Sequence, residues 1–439
     1  MIKEGKNYLA DFQNKKKRTR LVRLPGNVRS LHFIILVLFF WFLSCVKEET
    51  GDSELSPTVI LISMDGFRWD YQDKTGTPNL DYLVENGVRS ESYIPVFPSS
   101  TFPNHLSIVT GCYPENHGII SNSMYDEEWD AEYYIGENSE PVTESRWYEA
   151  EPIWVTAEKQ GQVTATYFWP GSEAEINGER PTYYFEYDGS VPNEDRVQQV
   201  LDWIDLPKKS RPVFITLYFS DANSRGHLYG PEAAEMNDVI QELDGHIGML
   251  IEGLDERDVL DKVNIIITSD HGMTGLSRDR VIFLDDYIDV FSDSIRMIAW
   301  TPVAMILPLE DWVDSIYNSL NGVHPNMAVY KKDNIPERLH FSNHRRIPPI
   351  ICIADEGWSI TTHSYFNEHP NAYTGGNHGY DPINRSMHGS FIASGPAFKE
   401  GLSVNSFLNI HTYDLIAHIM ELNPTENDGH FDSVSVMLK

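Results

Sequence analysis

The sequence is poor in cysteine and in basic residues. Its 439 residues include 3 cysteines, and 34 Lys and Arg stand against 65 Asp and Glu, which gives a formal net charge of −31. So few cysteines exclude a fold that depends on a disulfide framework. An acidic surface repels a nucleic-acid backbone, which excludes duplex binding through a broad basic face. Any phosphate group that the protein handles therefore needs a local positive centre.

Repeats and low-complexity linkers are also absent between residues 57 and 439. Aromatic residues make up 12% of the chain, with 10 Trp, 22 Tyr and 20 Phe. This content can bury a large core and argues against a disordered acidic chain. The length suits one large domain or two ordinary ones. No feature of the sequence identifies a protein partner.

An apolar run near the amino terminus, residues 31–43, is shorter than the roughly 20 residues of a membrane span. It follows a basic stretch and precedes Ser44 and Cys45, which resemble the end of a bacterial lipoprotein signal. The alternative is a type II membrane anchor. We expect a signal or anchor segment over residues 1–45, a polar tether over 46–57 and a globular domain over 58–439. Both alternatives place that domain outside the cytoplasm, tethered to a membrane by a lipid or by the anchor.

Near-continuous apolar runs predict parallel strands that are buried on both faces. These runs are Val59–Ile62, Val163–Trp169, Val213–Phe219 and Val263–Thr268. A helical spacing of apolar residues over 236–254 lies between two of them. Strands that alternate with helices indicate an α/β sandwich. Three of the runs end in polar clusters, and the carboxyl ends of parallel strands form the ligand crevice of such sheets.

Candidate metal ligands occur at these strand ends and in two loops. They are Asp65, Asp270, His271, His227 and His378. Carboxylates mixed with neutral imidazoles form a zinc-like ligand set, here with enough members for two ions. Because the chain has 16 histidines, any single one also has a structural or surface role as an alternative.

A hydroxyl group in a proline-bracketed loop is the candidate nucleophile. Thr101 lies in the segment PSSTFPNH, just before a predicted helix. A threonine reacts as a nucleophile when a metal stabilises its alkoxide. The alternative is that this segment only caps the helix.

Seven ordered sequence blocks resemble the ecto-nucleotide pyrophosphatase/phosphodiesterases of the alkaline phosphatase superfamily. The blocks are SMDGFRWDY (63–71), TFPNHLSIVTGCYPENHGIISNSMYD (101–126), EPIWVTAEKQG (151–161), FWPGSEAEING (168–178), YDGSVPNEDR (187–196), ITSDHGM (267–273) and NHGYDP (377–382). The resemblance covers nearly all of residues 58–439 and implies an alkaline-phosphatase-like three-layer sandwich around a mostly parallel sheet. It makes these residues a phosphodiesterase catalytic domain. The blocks at 168–178 and 187–196 look most like the nucleotide-cleaving branch.

The resemblance also implies a role for each candidate residue. One zinc ion would be bound by Asp65, Thr101, Asp270 and His271, and a second by His227, His378 and an aspartate. Thr101 would attack phosphorus and form a covalent intermediate, which water then hydrolyses. Asn122 and the backbone N–H of Phe102 would donate to a phosphate oxygen. Phe102 and Tyr187 would stack on the base, although either aromatic alone has a core role as its alternative.

One position departs from the family pattern. Asn223 stands where the family has the aspartate that binds the second zinc ion. An amide oxygen is a neutral and weaker ligand, so the second site loses a negative charge. Asp221, two residues upstream, is an alternative ligand, and Arg225 would either bind substrate phosphate or cover an acidic surface.

Taken together, these features predict a two-zinc hydrolase that acts on phosphodiester or phosphoanhydride bonds of nucleotides and releases nucleoside 5′-monophosphates. One alternative is a phosphodiesterase of the same superfamily that acts on choline lipids. The other is a binding protein without catalytic activity, which the loss of the aspartate at Asn223 would favour.

Overall fold

The computed structural model describes residues 57–136 and 139–439. The predicted signal and nearly all of the predicted tether lie outside these ranges. Within them, none of the helices combines the length and the apolar character that crossing a membrane requires.

The strands are β1 Thr58–Met64, β2 Gly87–Ser90, β3 Tyr93–Ile94, β4 Ser123–Asp126, β5 Ala131–Tyr134, β6 Thr164–Tyr167, β7 Tyr183–Phe185, β8 Phe214–Phe219, β9 Val263–Thr268, β10 Thr274–Gly275, β11 Val281–Phe283, β12 Ile295–Ala299, β13 Val303–Pro308, β14 Met327–Lys331, β15 Ile350–Ala354, β16 Ser359–Thr361, β17 Gly376–Asn377, β18 Phe391–Ser394, β19 Leu402–Val404 and β20 Phe407–Leu408. The α-helices are α1 Pro78–Glu85, α2 Thr101–Thr110, α3 Pro114–His117, α4 Ile153–Lys159, α5 Asn193–Ile204, α6 Asp221–Tyr229, α7 Glu235–Asp255, α8 Val313–Leu320, α9 His363–Glu368 and α10 His411–Ile419.

The central sheet has eight strands in the order β19-β2-β18-β9-β1-β8-β6-β7. Neighbouring strands are parallel except at β18, which runs antiparallel to both β9 and β2. The four apolar runs form β1, β6, β8 and β9, which confirms the predicted mostly parallel sheet.

Helices cover both faces of this sheet, and the burial of β1 shows why. Every residue of β1 is buried. Val59 belongs to a core cluster that includes Trp154 of α4 and residues of α2 and α10, whereas Ile60 belongs to a second cluster with α1, α5 and α7. Successive side chains of a strand point to opposite faces. The two clusters are therefore the two interfaces of a three-layer α/β sandwich, as the sequence predicted.

The longest described helix, α7, follows the predicted apolar spacing, since Met236, Ile240 and Leu243 and the residues that continue this pattern are buried against the sheet. A second, antiparallel sheet has the order β12-β13-β15-β14 and packs with Ile316 and Leu320 of α8. The sequence patterns did not predict this sheet.

Candidate active site

Three adjacent parallel strands bring the predicted residues to one edge of the central sheet. Asp65 follows β1, Asp270 and His271 follow β9, and α6 follows β8 after one residue. Because β8, β1 and β9 are neighbours and run parallel, their carboxyl ends lie side by side. Thr101 is the first residue of α2 and reaches the same place.

The first donor set consists of Asp65, Asp270 and His271, whose ligand atoms all lie within 4.8 Å of one another. His271 Nε2 lies 3.4 Å from Asp65 Oδ1 and 3.1 Å from Asp270 Oδ2. Thr101 Oγ1 lies 3.3 Å from the same nitrogen. His271 Nδ1 donates to the carbonyl oxygen of Gly272 at 2.8 Å, which leaves Nε2 as the unprotonated atom of a neutral ring.

Two carboxylate oxygens of this set are buried without a hydrogen-bond partner among the described residues. They are Asp65 Oδ1 and Asp270 Oδ2, the atoms that face His271. Burial and the nearby Asp270 raise the pKa of Asp65 to about 8, and burial also raises the pKa of Asp270. Buried carboxylates need a compensating positive charge. Two oxygens and one imidazole nitrogen around a common point therefore fit a divalent cation such as zinc.

A second donor set lies beside the first. His227 Nε2 and His378 Nε2 are 3.2 Å apart. Their Nδ1 atoms lie 2.9 Å and 3.0 Å from the carbonyl oxygens of Gly376 and Ser99. A carbonyl only accepts, so each Nδ1 carries the proton and the two Nε2 lone pairs converge. The His378 ring also stacks on His271 with centroids 3.5 Å apart, which brings the two donor sets together.

The structure distinguishes Asn223 from Asp221. Asp221 Oδ2 accepts a hydrogen bond of 2.8 Å from Asn193 Nδ2 on α5. Asn223 Oδ1 is buried and has no partner among the described residues, and Asn223 lines the same cavity as Asp65 and Thr101. It is the asparagine, rather than the aspartate, that offers an unpaired oxygen at the site. Arg225 is exposed on α6.

Gly66 makes this arrangement possible. Its φ is +69°, and a Cβ atom at this position would lie 2.8 Å from the Cα of Asn223. A larger residue would therefore be strained in its backbone and would push α6 away from the end of β1.

A cavity of about 420 Å³ opens next to Thr101 and is lined by aromatic side chains. Phe102 and Tyr187 are both among its lining residues. Tyr187 is 41% exposed and contacts Phe168 and Tyr218 edge-on, with centroid distances of 5.3 Å and 6.1 Å. An aromatic ring with one open face can stack on a planar ligand.

The two groups that were predicted to donate hydrogen bonds to a phosphate oxygen contact each other in this structure. The backbone N–H of Phe102 donates to Asn122 Oδ1 at 2.9 Å. A substrate phosphate would have to displace this hydrogen bond before it reached the Phe102 N–H.

Sequence reasoning missed two residues that orient the first donor set. The Tyr218 hydroxyl donates to Asp65 Oδ2 at 2.5 Å. His105 is fully buried, and its Nδ1 lies 2.8 Å from the Thr101 carbonyl oxygen and 3.4 Å from Asp270 Oδ2. Two signals were available: Tyr218 lies beside a predicted polar strand end, and His105 ends the segment PSSTFPNH that contains the candidate nucleophile.

Comparison with known proteins agrees with this geometry. The family model described as type I phosphodiesterase / nucleotide pyrophosphatase matches residues 59–381. The chain belongs to this family. It is thus a hydrolase of the phosphodiesterase and nucleotide pyrophosphatase group, with an alkaline-phosphatase-like fold.

Family members from several vertebrates are similar over most of this chain. Human ectonucleotide pyrophosphatase/phosphodiesterase family member 5 is 38% identical over 87% of this chain and 78% of its own length. The bovine bis(5′-adenosyl)-triphosphatase of the family is 39% identical over 92% of this chain and 87% of its own. The structure of the murine family member 5 has a TM-score of 0.82 and 38% identity, and covers 87% of this chain and 100% of the murine chain. An inactive threonine-to-alanine variant of that murine protein, in complex with AMP, is equally similar.

Proposed function

We propose that this protein hydrolyses phosphodiester or phosphoanhydride bonds of nucleotides and releases nucleoside 5′-monophosphates, with Thr101 as the nucleophile and two zinc ions as cofactors. The observation that carries the proposal is the convergence of Thr101 with Asp65, Asp270 and His271 at one end of an aromatic cavity. A relative named as a bis(5′-adenosyl)-triphosphatase and the structure of an inactive variant of a relative in complex with AMP support a nucleotide substrate.

Zinc ions bound by Asp65, Asp270 and His271 and by Asn223, His227 and His378 would neutralise the phosphate and lower the pKa of the Thr101 hydroxyl. Thr101 Oγ1 attacks phosphorus, the bond to the leaving oxygen breaks, and the leaving group takes up a proton. Water then attacks the phosphorus of the nucleotidyl-threonine, the bond to Thr101 Oγ1 breaks, and the nucleoside 5′-monophosphate is released as Oγ1 takes up a proton. Phe102 and Tyr187 hold the base during both steps, so that phosphorus stays next to Thr101.

The location is a second part of the proposal. The relatives are named as ectonucleotide enzymes, which supports an extracytoplasmic site of action. We propose a lipid tether at Cys45, with a type II anchor as the alternative. Mass spectrometry of the mature amino terminus tests this point, because recovery of residues 1–44 in the membrane-bound protein contradicts the lipid tether.

The decisive experiment combines metal analysis with product analysis. The purified protein is stripped with a chelator, reloaded with zinc and assayed on the 4-nitrophenyl ester of AMP and on 4-nitrophenyl phosphocholine. We expect zinc-dependent release of AMP and little turnover of the choline ester. Preference for the choline ester would support the lipid phosphodiesterase, and tight nucleotide binding without turnover would support the binding protein.

A further inference from the structure

Two glycines that lie close to the second donor set pack against one methionine. Gly226 directly precedes His227 on α6. Gly376 begins β17 and lies two residues before His378. A Cβ atom at Gly226 would lie 2.9 Å from Met273 Cε, and a Cβ atom at Gly376 would lie 2.9 Å from Met273 Cγ and Sδ. Both glycine backbones therefore lie directly on the Met273 side chain.

The helix and the strand that carry these glycines also touch each other. A Cβ atom at Gly376 would lie 2.6 Å from the carbonyl oxygen of Gly226. Glycine inside a helix is unfavourable, and close packing of the backbone is a reason for its presence there. The sequence thus accepts a weaker α6 so that this helix can approach β17 and Met273.

Met273 is itself fixed to the segment that carries the first donor set. It follows His271 by two residues and is fully buried. Its backbone N–H donates to the carbonyl oxygen of Ser386 at 2.9 Å, and its carbonyl oxygen accepts Nη1 of the buried Arg68 at 3.2 Å. The next residue, Thr274, begins β10, which pairs with β17. The side chain of Met273 therefore has a defined place relative to His271.

The distance between α6 and β17 determines the geometry of the second donor set. His227 Nδ1 donates to the carbonyl oxygen of Gly376 at 2.9 Å, and the Nε2 atoms of His227 and His378 are 3.2 Å apart. Bonds from zinc to imidazole nitrogen are about 2.0–2.1 Å long, so a small shift of one histidine against the other changes how both fit one ion. A side chain that contacts both segments is placed to control this shift.

We propose that Met273 is a positioning residue of the second metal site, because its side chain determines the separation of α6 and β17 and thereby that of His227 and His378. The inference rests on the proposed two-zinc function and adds a physical link between the two donor sets. Met273 acts through the two histidines. Its unbranched side chain suits the narrow space between two glycine backbones.

Met273→Ala removes the contacts with both glycines and keeps the backbone hydrogen bonds of residue 273. We expect the Kd of the second zinc ion to rise by about tenfold or more, as for other residues that orient metal ligands, while the first ion stays bound. Competition with a chromophoric chelator measures both affinities on the full-length protein. In the cobalt(II)-loaded protein, the visible absorption of the second ion should change and that of the first should remain.

Three further variants separate positioning from a general loss of packing. Met273→Leu has a similar volume and should bind the second zinc ion with nearly the wild-type affinity. Met273→Val keeps a buried apolar side chain but shortens it, so it should show the selective loss even if Met273→Ala does not fold. Met305→Ala truncates a buried methionine of β13 in the second sheet, and it should retain both zinc affinities.

Unchanged affinity for the second zinc ion in Met273→Ala or Met273→Val would overturn the role of Met273. An equal loss in Met305→Ala would also overturn it, because the effect would then arise from general loosening of the core. Hydrolysis of 4-nitrophenyl esters of nucleotides tests the proposed function separately. Two bound zinc ions without hydrolysis in the wild type would contradict that function, whereas a selective loss of the second ion in the variants would still support the role of Met273.

Discussion

The Nε2 atoms of His227 and His378 face each other at 3.2 Å, and each ring has its Nδ1 directed at a backbone carbonyl. Two unprotonated nitrogens at this distance repel each other unless a cation lies between them or one ring is protonated. Burial and the neighbouring histidines hold the pKa of His378 well below its usual range, which disfavours protonation of that ring. A bound cation is the arrangement that satisfies both rings.

We expect the second zinc ion to bind more weakly than the first, because Asn223 offers a neutral oxygen where a carboxylate would offer a charge. Asn223→Asp should lower the zinc concentration that is needed for half-maximal activity. It should also raise the zinc content of the protein, measured by inductively coupled plasma mass spectrometry. The matched control is Asp221→Asn, which should leave both values unchanged because Asp221 bonds to Asn193. The reverse pattern would make Asp221 the ligand.

Thr101→Ala should abolish turnover of a nucleotide ester and leave the fold intact, because loss of one hydroxyl removes the nucleophile but little packing. Thr101→Ser should retain part of the activity. Steady-state kinetics and circular dichroism together provide the test. If the alanine variant turned over substrate at the wild-type rate, Thr101 would not be the nucleophile.

Arg346 is buried in a network that supports the segment before Asn122. Its side chain pairs with buried Asp126 at 2.8 Å and donates to the carbonyl oxygen of Gly118 at 2.7 Å. Arg346→Met should lower the free energy of unfolding by about 3 kcal/mol, because it removes one partner of a buried ion pair. Arg345→Met, at a partly exposed neighbour that also contacts Asp126, should cost about 1 kcal/mol or less. Urea denaturation of both variants measures the difference, and equal losses would contradict it.

Stability should also fall as the pH is lowered below about 6.5, and His117 is one cause. Its Nε2 lies 3.1 Å from the Pro103 carbonyl oxygen, and its Nδ1 accepts the Ile119 N–H, so the folded site accommodates the neutral ring. Burial lowers the pKa of His117 to about 3. Between about pH 6.5, the usual pKa of histidine, and about pH 3, the unfolded chain therefore binds up to one more proton than the folded chain.

His117→Gln should consequently flatten the dependence of unfolding free energy on pH between 6.5 and 4.5, by at most about 1.4 kcal/mol per pH unit. His363→Gln, at an exposed histidine of α9, is the control. Denaturation curves at several pH values compare the two slopes. Identical slopes for both variants would exclude His117 as a source of the dependence.

The features that were predictable from the sequence are those that follow from the parallel sheet. Continuous apolar runs indicate strands that are buried on both faces. Because neighbouring parallel strands end at the same edge of a sheet, the proximity of Asp65 to Asp270 and His271 could be predicted from these runs. The contacts of Tyr218 with Asp65 and of Asp221 with Asn193 could not be predicted, because side-chain direction within a strand end or a loop depends on tertiary packing. The antiparallel sheet of β12–β15 was not predicted for two reasons. Its edge strands β12 and β14 have mixed burial, and the buried apolar runs of its central strands β13 and β15 do not by themselves indicate which sheet a strand joins.

The candidate metal donors are contributed by segments that begin at Asp65 and end at His378. During synthesis from the amino terminus, Asp65 and Thr101 emerge long before the histidine that completes the second pair. A chain interrupted before Gly376 would have most of its central sheet but only one half of that pair. Metal capture is therefore linked to completion of the tertiary fold, and a bound ion in turn stabilises the finished chain over every partly folded form that lacks a donor. Full metal loading would thus report that the newly made chain has finished folding.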